Sequence, residues 1–416
     1  MKTISHEIVM KKLPIFLVIF IFTSCSVKNN KQQEILKTGV EINDFFVINP
    51  QNFEKNNLSL SVFAADVKYV PLSNKILIGS VQALRVNSNA VYLIYDNSGG
   101  GEGNGHSQLF RFDKNGKNPV QIGKVGKGPQ EYLSGNFFAV DESNNRIYIN
   151  GKANTVLVYD TLGNYIRAFK FQDSELNFSK LDILSSNKLF LPQSNLGARG
   201  PYLWYIIDTL GNITSRKTNS TPPFETHTGS HSGTFKYKDK ISYWVDYNDT
   251  IFEISPDLTS RASYIITPNE TEVDELKLQS SSVTLFKPSE YFLPRFFTGT
   301  NKYLINRYSY KGKYAFTFID KKSLETYTCN YKLGKGGITN DFDAGLMFFP
   351  LDYFTDEENE YLVAIIQPFE LKAHVASETF KNFTPKHPEK KKEFEQLANR
   401  LDENDNPVLM LVKLKE

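Results

Sequence analysis

The chain has 416 residues, of which 40% are apolar and 13% aromatic, enough for a large core rich in strand-forming side chains. Its 48 Lys and Arg nearly balance its 46 Asp and Glu, so no global field points to nucleic acid or an anionic membrane surface, and a nucleic-acid partner is not supported. Two cysteines, Cys25 and Cys329, make neither a disulfide framework nor a cysteine-rich metal site.

The first element is an address. Lys11 and Lys12 precede an unbroken apolar run, Leu13 to Phe22, too short for a spanning helix of about 20 residues but suited to a secretory signal. Phe22-Thr23-Ser24-Cys25 then resembles a lipobox, with small residues at the cleavage point before the cysteine whose thiol takes the lipid. Phe22 stands where Leu is usual. The alternative is an ordinary signal peptide followed by an incidental cysteine. Residues 1–24 are therefore read as a lipoprotein signal peptide, and residues 25–59 as the lipidated Cys25 and a polar tether. Lys28 and Lys31 stand where surface-exported lipoproteins often carry acidic residues. A cell-envelope location is thus expected, lipid-anchored on the periplasm-facing side of the outer membrane and not at the cell surface.

Residues 60–416 carry a repeat. An apolar strand, an Asp turn and a second strand recur at LFRFDKNGK (109–117), LVYDTLGN (157–164) and YIIDTLGN (205–212), and more loosely at IFEISPDLT (251–259) and FTFIDKKSLE (316–325). The aligned positions Asp113, Asp160, Asp208, Ser255 and Asp320 lie 47, 48, 47 and 65 residues apart. Units of about 40–50 residues built from short strands and tight Asp/Gly turns are propeller blades of four strands each. Five such units are read between residues 80 and 330. A sixth supplies three strands: 346–354, 361–368 and 407–415. The spare strand VKYVPL (67–72), far upstream, would lie beside the C-terminal strand and remove two open edges. The predicted fold is all-β: a six-bladed β-propeller closed by an N-terminal strand, with a small helical insertion in the last blade at about 369–405. In that insertion Phe394, Leu397 and Leu401 share a helix face.

Particular runs resemble a known group. VPL (70–72) followed by IGSVQAL (78–84), GKVGKGPQEY (123–132), NDTIFEI (248–254) and the closing NPVLMLVKLK (406–415) resemble the six-bladed β-propeller lipoproteins of Bacteroidetes. These are related in fold to NHL and TolB-type propellers, and several are known only as domains of unknown function. The resemblance covers roughly residues 60–416 and implies a fold and a location; it transfers no catalytic residue.

Motifs for chemistry are sparse. GGGEGNGH (99–106) has no strand-loop-helix context for phosphate and reads as a hairpin loop. His227 and His231 lie four apart among Gly and Ser without an evident acidic partner, so no metal is expected. No GxSxG or HExxH occurs, and no cofactor is expected. The inner strands, FFAV (137–140), TFKY (234–237), LPRFF (293–297) and FFPL (348–351), read mainly as packing; Asn136 and Asp352 alone suggest a channel ligand. Blade topology places the short turns at one end of the ring and the long connections at the other, where insertions in repeat folds gather on a binding face. Lys127, Glu131, Tyr132, Arg199, Tyr202, His231 and Lys335 are the candidates there, although GKGPQEY can equally serve to shape a tight crossover. The expectation is a non-catalytic propeller binding a protein, peptide or glycan on that end. A channel-centred metal-dependent hydrolase or lactonase, or a structural subunit of an envelope complex, are the alternatives.

Overall fold

The computed structural model describes residues 45–53, 56–96, 107–133, 137–152, 154–171, 178, 180–193, 200–221, 232–246, 248–267, 292–334 and 336–416. Their strands form six antiparallel sheets arranged as the blades of a ring. The innermost strands, blades 1 to 6, are Ser80–Val86, Phe138–Asp141, Asp182–Ser185, Ser232–Tyr237, Leu293–Gly299 and Asp352–Asp356. In the first five blades the chain then steps outward, strand by strand, and crosses to the next blade. The sixth is completed from both termini: Ala64–Pro71 pairs antiparallel with Val408–Leu414, placing Val67 opposite Val412 and Tyr69 opposite Met410. The closure expected from VKYVPL is the one observed.

Because each blade packs on a neighbour through both faces, its second strand is largely buried. Ala90–Asp96 is buried at six of seven positions. The core accordingly divides into six clusters, one at each blade junction. Leu189, Leu191 and Ile207 of blade 3 meet Val156 and Val158 of blade 2, for example, while Phe190 and Trp204 meet Tyr243 of blade 4. Cys329 is a buried member of the junction between blades 5 and 6, and burial pushes its thiol up to about 12.

The repeated turns work as their residues dictate. The Asp160 carboxylate accepts from the backbone N–H of Leu162 (2.9 Å) and Asn164 (2.8 Å) and from the Asn164 amide (2.9 Å); Asp208 repeats this with Leu210 and Asn212. Gly163 and Gly211 have φ of 89° and 96°. A Cβ on either would also collide with a carbonyl on the outer strand of the preceding blade, Gln121 or Lys170. The same glycine thus closes its own hairpin and lets two blades touch.

Two boundaries differ from expectation. Residues 45–53 and 56–59 belong to the fold and are no tether: Phe46–Ile48 adds a fifth, parallel strand to the outer edge of blade 4. The chain then bridges to the outer strand of blade 5, Asn56 to Thr328, before entering blade 6. Val47 and Ile48 are buried there, so apolar contact holds a segment whose sequence showed no clear period. The second difference lies in the inner strand of blade 6, which begins at Asp352. Residues 346–351 instead form a crossover in which Phe348 is buried and exchanges both backbone bonds with Ile338.

A four-residue helix, α1 (Leu60–Phe63), leads into the closing strand. The insertion in blade 6 holds three helices, α2 (Pro368–Ala376), α3 (Glu378–Asn382) and α4 (Pro388–Arg400), broken at Ser377, whose hydroxyl caps α3. Leu371, Phe380, Phe394 and Leu397 join the cluster between blades 5 and 6, so the insertion has no core of its own. No helix among the described residues is long and apolar enough to cross a membrane.

Candidate functional site

The innermost strands leave an unpaired backbone edge along the axis, and the side chains of neighbouring blades satisfy it. At the junction of blades 6 and 1, the Val86 N–H donates to the Asp352 carboxylate (2.7 Å). Between blades 3 and 4, the Lys180 ammonium donates to the Thr234 carbonyl (2.8 Å) and hydroxyl (2.6 Å), and that hydroxyl donates to Asp182. Lys236 reaches back from blade 4 to the Ile183 carbonyl (2.9 Å). Between blades 4 and 5, Arg295 holds the buried Asp246 at 2.9 Å. Each link satisfies a group that a dry axis would leave unmatched.

Around these links lies a cavity of about 290 Å³, lined by all six inner strands. Three cations, Arg85, Lys180 and Lys236, and three carboxylates, Glu142, Asp182 and Asp352, line it beside Phe138, Phe235, Phe296 and Tyr353. The surrounding walls set the ionisation. Burial pushes Lys180 down to about 8, against the pull of Asp182, and Arg85 across the channel lowers it further. Burial also raises the Asp352 carboxyl above its ordinary value although Arg85 opposes this. Among the described residues no group of three His, Cys, Asp or Glu side chains could hold a metal.

Arg85, Lys180, Asp182 and Lys236 were not singled out from sequence. The available signal was alternation: Lys180 and Asp182 flank Leu181, and Thr234 and Lys236 flank Phe235, so that each polar pair lies two residues apart along extended chain. Asp352, noted from sequence, does line the channel; Asn136 lies outside the described residues.

The other candidate surface is the end carrying the long connections. Lys127 and Glu131 share the crossover from blade 1 to blade 2, and Lys127 is exposed. Tyr132 is corrected: it is wholly buried between those blades and presents no contact surface. Its hydroxyl donates to the Ile122 carbonyl (2.8 Å) and accepts from the Leu109 N–H (3.1 Å) and the Gln108 amide (2.6 Å). Glu131 turns inward on its own loop, accepting from the Gly128 N–H at 2.7 Å. A Cβ at Gly126 would overlap that carboxylate and one at Gly128 would come within 3.0 Å of it, so a side chain at either would push Glu131 from its place. Tyr202 starts the third strand of blade 3 at the same end, half-buried, with the Arg216 guanidinium 4.3 Å from its ring centre. Arg199, His231, Lys335 and the lipidation candidate Cys25 lie outside the described residues.

A six-bladed β-propeller with a mixed-charge channel is thus the class of protein defined by the fold. Residues 45–413 match the family described as Domain of unknown function (DUF4934), and the chain belongs to that family. A "Putative exported protein" of Bacteroides fragilis is similar in structure at TM-score 0.66 and 19% identity, over 89% of this chain and 99% of the other. A member of the DUF4221 family from Bacteroides vulgatus is similar at TM-score 0.49 and 11% identity, over 87% of this chain and all (100%) of the other. The likeness to the first is one of fold. No curated protein matches the chain.

Proposed function

We infer that this protein is an exported, lipid-anchored binding propeller, held to the envelope through Cys25 and capturing a ligand or protein partner without chemistry of its own. The observation that carries the reading is how chain length is divided between the ends of the ring. One end has only short turns: 87–89, 142–145, 186–187, 238–239, 300–302 and 357–358 join first to second strands. From the other end depart 97–107, 122–137, 193–201, 219–231, 267–292 and the helical 367–407. Long connections cost closure entropy and add no core, so their concentration at one end fits a recognition surface. The name of the Bacteroides fragilis relative is compatible with export.

The test is a photo-crosslinking amino acid placed at Lys127 on the long-connection end, or at Leu162, which is 68% exposed on a short turn. In cells, specific adducts from Lys127 and none from Leu162 are expected. Adducts from Leu162 alone, or from neither position, would overturn the assignment of the end.

A further inference from the structure

The channel holds more than the links between blades require. Arg85 is the clearest surplus. Its one hydrogen bond among the described residues goes to the carbonyl of its own neighbour Leu84 (3.0 Å), and Asp352 stands 3.7 Å away, beyond hydrogen-bond reach. The other Asp352 oxygen is already taken by the Val86 N–H. The remaining guanidinium donors are therefore available, and the side chain is 38% exposed to the cavity it lines.

Opposite charge is available on blade 3. Asp182 accepts from the Thr234 hydroxyl and faces Lys180 at 3.5 Å, leaving lone pairs for a further donor.

The charge balance chooses the ligand class. Three cations and three carboxylates line the cavity, so an ion of one sign would leave a net charge in a poorly solvated ring. A neutral molecule carrying both charges leaves none. Aromatic rings, Phe138, Phe296 and Tyr353, complete a wall suited to an apolar substituent. We propose that the central channel binds a small zwitterion, an α-amino acid or an ammonium carboxylate of similar size, with its carboxylate on Arg85 and its ammonium toward Asp182. This site is independent of any partner on the long-connection end.

Calorimetric titration of the purified mature chain with each of the twenty protein amino acids tests it, using the matching deaminated acid and decarboxylated amine of each binder. At least one amino acid is expected to bind, with its two half-molecules about 10-fold weaker or worse. Arg85→Gln and Asp182→Asn are each expected to weaken binding by about 10- to 100-fold while Leu162→Ala, on an exposed turn, leaves it unchanged. Where a charge variant fails to fold, Arg85→Lys takes its place, since it keeps the charge and loses the planar fork that grips a carboxylate; unchanged affinity there overturns the site. No heat with any amino acid at millimolar concentration overturns it as well. Equal binding of the deaminated acid overturns the zwitterion assignment. None of these failures touches the end assignment, which the adducts at Lys127 decide.

Discussion

The Tyr132 hydroxyl serves three groups at once, two of them on the backbone of blade 1, and its ring stands edge-on to Tyr159 of blade 2 at 6.3 Å. Tyr132→Phe keeps the ring and deletes only the hydroxyl, leaving the Leu109 N–H buried without its acceptor. A loss of about 1–3 kcal/mol is expected in chemical denaturation; an unchanged midpoint would show that the bonds contribute nothing. Lys180 offers a pH-dependent counterpart. Its folded value near 8 lies below that of an exposed lysine, so the folded state releases its proton first. The burden of burying that charge is fully present below pH 8 and lifts as pH rises toward the unfolded value of about 10.4. Relative to Lys180→Met, the wild type is therefore expected to gain stability, on the order of 1–3 kcal/mol, between pH 8 and 10. Parallel pH profiles for the two proteins would contradict this.

Strand Ala64–Pro71 is the element on which the ring depends, because it is the only outer strand of its blade and lies over 330 residues away in sequence from its partner, Val408–Leu414. Deleting residues 60–72 leaves blade 6 with an open edge and strips Val67 and Val70 from two blade junctions. The expected result is a cooperative loss of the whole domain, read as a large fall in melting temperature. Retention of the wild-type melting temperature would mean that the ring does not need this strand. The added strand Phe46–Ile48 extends the same logic to the outer edge of blade 4.

For the whole molecule, the proposed anchoring turns on one residue, Cys25. Cys25→Ala is expected to leave the protein exported but released from the membrane, with labelled palmitate incorporated only by the wild type. Wild-type protein that takes up no palmitate would mean that Cys25 is an incidental cysteine behind an ordinary signal peptide. Anchoring at that residue leaves 26–44 ahead of the first described strand, since Phe46–Ile48 lies on the outer edge of blade 4 and Asn56 bridges to that of blade 5.

The amino-acid sequence by itself determined the blade count, the hairpin turns and the closing strand. Those features are local: Asp160 with Gly163, or Asp208 with Gly211, fixes a turn from within five residues, and strand alternation needs no partner to be visible. The closing strand was legible because an unpaired strand and a three-stranded last unit leave one solution that removes both edges. What only the tertiary structure decided is what meets between blades. Tyr132 reads as a contact residue in a glycine-rich loop, yet the loop folds back and drives its ring between blades 1 and 2. Arg85, the pair Lys180 and Asp182, and Asp352 come from three unrelated stretches and carry no common spacing. They meet because ring closure brings the inner strands of blades 1, 3 and 6 to one axis, and electrostatic coupling there depends on distance through space and not along the chain.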